Sequence, residues 1–361
     1  MIRFHESNQY RSYLNAKRKR IIGLFTLLII LALSIILGTM FGPLGPFGPG
    51  EPDRISFNTV FKTLIFGGLS RSPKTTHEII IWDVRLPRVM LAALIGLSLA
   101  VAGAAMQGIF RNPMADPFIL GLSAGAAVGA TTAIYLTPII GFNDYSLSIF
   151  AFVFGIGTIF VVYFLARTNG HVDTQTLLLS GIAVGSFMTA ISSALIYFSG
   201  KHLSVIVFWL MGSLSGANWS NVTLIFVPIF LGSFSIFIFS RHLKTLLLGH
   251  ETAHDLGINP ERTQKIILLL CSFITGIAVA FSGIIGFVGL IIPHAVRLII
   301  GSDYRYLLPA SAISGAIFMI WADVVSRTVL SPTELPIGII TSLLGVPFFI
   351  YLLRNREKIR M

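Results

Sequence analysis

Long apolar runs alternate with short polar islands along almost the whole chain. A helix needs about 20 mostly apolar residues to cross the hydrocarbon core of a bilayer. Runs of this kind fall near residues 21–41, 86–110, 116–137, 146–166, 175–198, 220–240, 263–283, 286–300, 307–327 and 336–353, the eighth being short. The pattern predicts an all-α, polytopic membrane protein of about ten transmembrane helices. Segments such as ALIGLSLAVAGAA and SAGAAVGA are rich in small residues, the composition of helices packed closely on other helices, so the runs should form one bundle.

The island between the second and third runs, GAAMQGIFRNPMADPFILGLSAGA from Gly103 to Ala126, carries Arg111, Asn112, Pro113, Asp116 and Pro117. Polar side chains and proline-freed backbone need water or protein partners, so a structured loop at the membrane face is expected there. After the first run, a Gly/Pro segment and an amphipathic stretch make residues 42–84 an external loop. Residues 201–219 read as a surface or partly inserted helix, because their apolar run is short and interrupted by Gly and Ser. Residues 242–262, broken at Gly249, Gly257 and Pro260, read as two short helices. Arg111–Ala126 and Arg297–Ala316 both run from arginine through aspartate into a Gly/Ala/Ser-rich helix start, a faint echo of duplicated halves.

Composition agrees with the pattern. Hydrophobic residues make up 54% of the chain and charged ones 11%, against about 25% charged in soluble proteins. The net charge of +11 follows topology and not nucleic-acid binding. With the N-terminus in the cytoplasm, 18 of the 26 Lys and Arg residues fall on the inner side, as the positive-inside rule requires. Residues 1–20 are then a cytoplasmic segment, both termini are cytoplasmic, and the surplus charge adds attraction to anionic lipid. The run after residue 20 lacks a small-residue cleavage site and reads as the first span, not a cleaved signal. The single cysteine, Cys271, lies in an apolar run and is expected to be a buried, inert thiol.

Four constellations carry candidate chemistry. His250-Glu251-Thr252-Ala253-His254 is a literal H-E-x-x-H, the spacing that places two imidazoles on one helix face for zinc with a glutamate as base. A membrane zinc metalloprotease is therefore one alternative. The helix has only about two turns between its glycines, and no other segment offers a distinctive third ligand, which weighs against it. Arg85 and Arg88, at i and i+3, and Arg327 gather at the outer ends of two spans, where they suit carboxylates of an external partner; snorkelling arginines anchored at headgroups are the plain alternative. Asp323, the one carboxylate well inside an apolar run, stands four residues before Arg327, so an ion pair neutralising both is expected. A proton- or cation-coupled secondary transporter would want more intramembrane ionisable groups than this. His294, beside Pro293, reads as a hydrogen-bonded structural histidine. The chain contains no Walker A sequence, so ATP-driven transport would require hydrolysis in another chain.

Taken with RLPR at Arg85, LLLSGIAVG at Leu177, WLMGSLSGANW at Trp209, LLLGHETAHDLG at Leu246, GFVGLIIPHAVRLIIGSDYRYLLPASAISGA at Gly286 and ELPIGIITSLLGVPFFIYLL at Glu334, the island at Gly103 makes the chain resemble the FecCD-type (BtuC-like) permeases of ABC importers for iron-siderophores, haem and cobalamin. The resemblance implies one transmembrane permease domain over residues 1–361 in the cell membrane, with no catalytic residue, no metal and no cofactor of its own. It implies a second copy or close paralogue with the pathway between the two, a cytoplasmic ABC ATPase dimer, an extracytoplasmic substrate-binding protein, and no nucleic acid. Leu248, Gly249, His250, Glu251, Ala253, Leu256 and Gly257 would dock the ATPase. Arg85, Arg88 and Arg327 would meet acidic residues of the binding protein, and Arg111, Asn112, Pro113, Asp116 and Pro117 would form a structural inner-face motif. His250 stands where the family usually has glutamate, a departure that creates the zinc-like spacing.

Overall fold

The computed structural model describes residues 2–42, 57–66, 75–141, 145–168 and 171–354. Parts of the expected external loop, 43–56 and 67–74, lie outside the described residues, as do the basic Arg356, Lys358 and Arg360. Helix α1 runs over Ile2–Met40, followed by α2 (Phe57–Phe66) and α3 (Thr76–Ile79). A π-helical turn at Ile80–Arg85 leads into α4 (Leu86–Ile109). Then come α5 (Leu122–Ile140), α6 (Ser146–Leu165), a two-residue antiparallel pair β1 (Arg167–Thr168) and β2 (His171–Val172), α7 (Thr174–Phe198) and α8 (Leu203–Leu210). The chain continues with α9 (Trp219–Ile238), α10 (Ser240–Leu246), α11 (His250–Asp255), α12 (Pro260–Ser282), α13 (Val288–Ile300), α14 (Tyr304–Thr328) and α15 (Ile337–Arg354).

Among the described residues, seven helices are long and apolar enough to cross a membrane, and Leu122–Thr137, Gly200–Leu210, Val288–Ile300 and Ile337–Tyr351 are shorter. Every expected span falls on one of these helices, and Gly200–Leu210 lies where an inserted surface helix is expected. The helices begin at side-chain caps: Asp173, Asn218, Asn259 and Asp303 each accept a backbone N–H of the first turn of α7, α9, α12 and α14. Such caps satisfy donors that the helix cannot pair internally.

Helix α4 is apolar all round and is buried on nearly all sides, as such a helix must be. Its small residues set the approach of its neighbours. A Cβ at Gly96 would lie 2.1 Å from the Gly315 carbonyl oxygen of α14, and one at Gly103 would lie 1.8 Å from the Gly289 oxygen of α13. The backbones touch directly, so packing of small residues holds the core of the bundle.

Two irregular segments interrupt the helices. Residues 110–121 form turns, exposed at Arg111–Pro113 and buried at Ala115, Pro117 and Leu120, and helix α5 starts at Leu122 and not at 116, where the third span is expected to begin. A Cβ at Gly289 would meet Pro117 Cδ at 2.8 Å and the Leu99 oxygen at 2.9 Å. Leu99 lies two to three turns, about 15 Å, before the end of α4. The segment thus doubles back alongside α4 before α5 starts at Leu122. Residues 283–287 unwind between α12 and α13, with Phe287 at φ 70° and its ring against Gly345 of α15. Irregular backbone within a membrane protein is tolerated where protein covers it. Ser213 N–H donates to Ser282 O (2.8 Å), and Ile337 and Gly338 N–H donate to Gly212 O and Met211 O (both 3.0 Å), tying the start of α15 to the end of α8 and the unwound segment.

Candidate functional site

Inner and outer denote the two ends of the bundle expected from the charge bias. At the outer end the three arginines are held inside the chain instead of standing free on the rim. The π-helical turn brings Arg85 to the C-terminus of α1, where its Nη1 donates to Thr39 O (3.3 Å) and Met40 O (2.6 Å). Arg327 Nη2 donates to Gly38 O at 2.7 Å. Both cations thus sit on terminal carbonyls that α1 cannot pair, where the helix dipole favours positive charge. Arg88 bridges two carboxylates, Nε to Asp323 Oδ1 and Nη1 to Glu334 Oε1, each at 2.8 Å. The expected pair is present, Arg327 Nε lying 3.2 Å from Asp323 Oδ2. Asp323 is fully buried, whereas the Glu334 side chain is 30% exposed. Three cations face two anions in this cluster, and Glu334 is its solvent-facing member. Glu334 joins the site through a turn in which Ser326 Oγ–H donates to Leu335 O, a connection that sequence spacing does not reveal.

At the inner end, α10 and α11 form the expected helix pair. Leu248 and Leu256 are exposed (65% and 61%), and Ala253 is buried beneath them. Gly257 closes α11 at φ 80°, its N–H donating to His254 O (2.9 Å) while Ile258 N–H donates to Ala253 O (3.0 Å), the pattern of a glycine-terminated helix. Gly249 precedes α11 at φ 124°. Glu251 and His254 point to solvent, and the His250 side chain lies outside the described residues. Among the described residues, no three His, Cys, Asp or Glu side chains come together as a metal site.

The inner motif is a set of local turns. Asn112 accepts from Met114 N–H (3.0 Å), and Asp116 accepts from Phe118 N–H (2.8 Å). Arg111 is exposed at φ 46°, Pro113 is exposed, and Pro117 is buried against Gly289. Nearby, the Thr176 N–H holds the exposed Asp173 carboxyl below the usual carboxylate range. His294 is buried as expected, but neither ring nitrogen has a hydrogen-bond partner, so the expectation of a bonded structural histidine does not hold. On α4, Gln107 Nε2 donates to Leu290 O (3.0 Å), while its Oε1 is buried without a partner. Cys271 is buried, and burial in an apolar span is consistent with an inert thiol.

Two open grooves mark the bundle surface. One, of about 420 Å³, runs between the start of α5 and α7, past Ser123, Gly181, Gly185, Ser186 and Thr189. The other, of about 510 Å³, lies between Met211, the unwound segment at Ile284 and Gly286, and α15 at Gly338 and Ser342. Along α7, Ser186, Thr189 and Ser193 are exposed on one side of an otherwise apolar span. The Thr189 and Ser193 hydroxyls donate back to Gly185 O (2.8 Å) and Thr189 O (2.9 Å), leaving acceptor lone pairs free. Exposed hydroxyls with free acceptor lone pairs suit lipid less well than aliphatic side chains. Their helical spacing in SGIAVGSFMTAISSA was the available sequence signal.

A family model described as the FecCD transport family matches residues 30–355. The chain belongs to the FecCD transport family. It is 47% identical over 282 residues to the cobalamin import system permease of Halobacterium salinarum, covering 78% of this chain and 75% of that one. To the hemin transport system permease of Yersinia pestis it is 41% identical, covering 84% and 90%. A solved structure described as an inward-facing metal-chelate type ABC transporter superposes with a TM-score of 0.78 at 33% identity, over 92% of this chain and 98% of that one. This FecCD protein is the transmembrane permease subunit of an ABC importer. The secondary-transporter and metalloprotease readings are not favoured: its intramembrane carboxylate is spent on two arginines, and its H-E-x-x-H lies on a short exposed helix.

Proposed function

We propose that this permease works as one transmembrane unit with a second copy of itself. It carries a metal chelate of the iron-siderophore, haem or cobalamin type from an extracytoplasmic binding protein into the cytoplasm, driven by a separate ABC ATPase dimer. The exposed hydroxyl-bearing face of α7 carries this reading, because it suits a water-filled pathway closed by a second copy and not lipid. Without charges on that face, a bulky chelate is gripped weakly and selectivity rests on the binding protein. The cargo class is supported by the names of the relatives. Cytoplasmic termini in the cell membrane are supported by the bias of 18 of 26 basic residues, which also places cations at anionic lipid headgroups.

The helix pair α10–α11 docks the ATPase through Leu248, Gly249, His250, Glu251, Ala253, Leu256 and Gly257. A rigid helix pair seated in the ATPase moves the bundle when the two nucleotide states hold it differently. Gly257→Val forces a branched side chain into the left-handed region. It is expected to leave membrane insertion intact while the ATPase no longer co-purifies, or co-purifies without driving transport. Wild-type transport by that variant would contradict docking through this loop. The segment at Arg111, Asn112, Pro113, Asp116 and Pro117 serves this machinery as structure.

The outer cluster of Arg85, Arg88 and Arg327 serves binding-protein docking. Since Arg88 already holds Glu334, an incoming carboxylate competes with Glu334 for the same guanidinium. Glu334→Gln removes the competitor's charge and is expected to strengthen binding-protein affinity several-fold at low salt, less so at 0.5 M salt, where exposed charges are screened. Weaker or salt-independent binding, measured by titration of the purified partner, would count against it.

A further inference from the structure

We propose that Asp303 is the joint through which movement of the ATPase-docking helices reaches the membrane bundle. The inference rests on the docking role of α10–α11. Asp303 starts α14 by accepting the Arg305 N–H on Oδ1 (3.2 Å), and its backbone oxygen accepts from Tyr306 and Leu307 (both 2.9 Å). Its other oxygen, Oδ2, faces two cations from two different elements: Lys244 Nζ of α10 at 3.7 Å and Arg20 Nη1 of α1 at 4.0 Å. Arg20 is held in turn over the Tyr306 ring, 5.5 Å from its centroid, and against Gly301 at the turn between α13 and α14.

This placement gives one carboxylate a mechanical role. Helix α10 runs through Leu247–Gly249 into α11, so a shift of the docking pair moves Lys244. Helix α14 is 25 residues long, about 37 Å, and carries Asp323 and Arg327 near its far end. A pull at Asp303 therefore reaches the outer ion cluster along one helix. Partly exposed pairs of this geometry contribute little to stability, so removing the charge should spare the fold and expose the coupling.

The decisive variant is Asp303→Asn, because asparagine caps a helix as well as aspartate while losing the charge. The assembled transporter, with ATPase and binding protein in liposomes, carries Ser186→Cys in the α7 groove and Cys271→Ala. Labelling of the new thiol by an impermeant maleimide is followed with and without ADP·vanadate. In the parent, the labelling rate changes on nucleotide trapping. In Asp303→Asn and in Lys244→Gln, the ATPase remains bound, Tm is unchanged, and the nucleotide-dependent change falls about fivefold or more, the usual size of an intramolecular coupling. Lys244→Arg keeps the change. Full nucleotide response in both neutralising variants overturns the joint alone, and so does loss of ATPase binding in Asp303→Asn, which would make Asp303 a docking residue. A parent transporter that binds no ATPase through α10–α11, or shows no nucleotide response, overturns the docking reading and the joint together.

Discussion

Replacing Asp323 with alanine is expected to unfold or severely destabilise the permease. The wild-type outer cluster has three guanidinium groups and two carboxylates, a net charge of +1; without Asp323 it has three and one, a net charge of +2. Arg327 is 2% exposed and would be left with the Gly38 carbonyl as its polar partner. Breaking a buried ion pair from one side costs about 3–5 kcal/mol, because the remaining charge stays desolvated and uncompensated. That is a large share of the roughly 5–15 kcal/mol that holds a typical protein folded. Size-exclusion profile and Tm in detergent are the readouts. A second variant separates charge from packing: Asp323→Leu combined with Arg327→Met returns the cluster to a net charge of +1, with Arg88 still held by Glu334, and should recover at least half of the lost stability, since apolar replacements of buried ion groups are often neutral. Wild-type Tm in Asp323→Ala, or no recovery in the double variant, would contradict this account of the cluster.

The second large effect is expected at Gly103. A Cβ there would stand 1.8 Å from the Gly289 oxygen and 2.4 Å from its carbonyl carbon, both backbone atoms of α13. No rotamer change relieves a collision with backbone. Gly289 is itself confined, a Cβ on it meeting Pro117 and the Leu99 oxygen. Gly103→Val therefore forces α4 and α13 apart and displaces the return segment 110–121 with them. Overpacking of this kind costs at least the about 1–3 kcal/mol seen when extra carbon is forced into a filled core. Loss of monodisperse protein on purification is the expected outcome. Gly157→Val is the control, because a Cβ there meets nothing within 4 Å. Equal yields from the two variants would contradict the packing described.

The spans were legible because a bilayer demands length and hydrophobicity, and both can be counted along a chain. The docking helices were legible from Gly249, Gly257 and Pro260, residues that punctuate helices by backbone chemistry. The return of Pro117 alongside α4 was not. RNPMADP reads as turn chemistry at any depth, and only the contact of Pro117 with Gly289 and Leu99 fixes where the turns lie. The pair of Asp323 with Arg327 followed from a four-residue spacing. The bonds from Arg88 to Glu334 and from Arg85 to the end of α1 join residues hundreds or tens of positions apart, and no periodicity encodes them. Arg85 and Arg88 therefore read as outward cations in the sequence, whereas the structure already holds Arg85 on the α1 carbonyls and Arg88 between two carboxylates. The hydroxyl face of α7 was present as a helical repeat of Ser and Thr, but an apolar span with a few hydroxyls also fits a buried helix contact, and only exposure separates the two.

If this permease forms the pathway of an ATP-driven importer, transport must depend on the partner ATPase. Uptake into proteoliposomes containing the permease, its ATPase and an excess of binding protein, with cyanocobalamin, haemin and a ferric hydroxamate as separate probes, tests this most directly. The account predicts uptake of at least one probe that requires ATP inside the vesicle and stops when the ATPase is omitted. Uptake that persists without ATP or ATPase under an imposed proton gradient would contradict it.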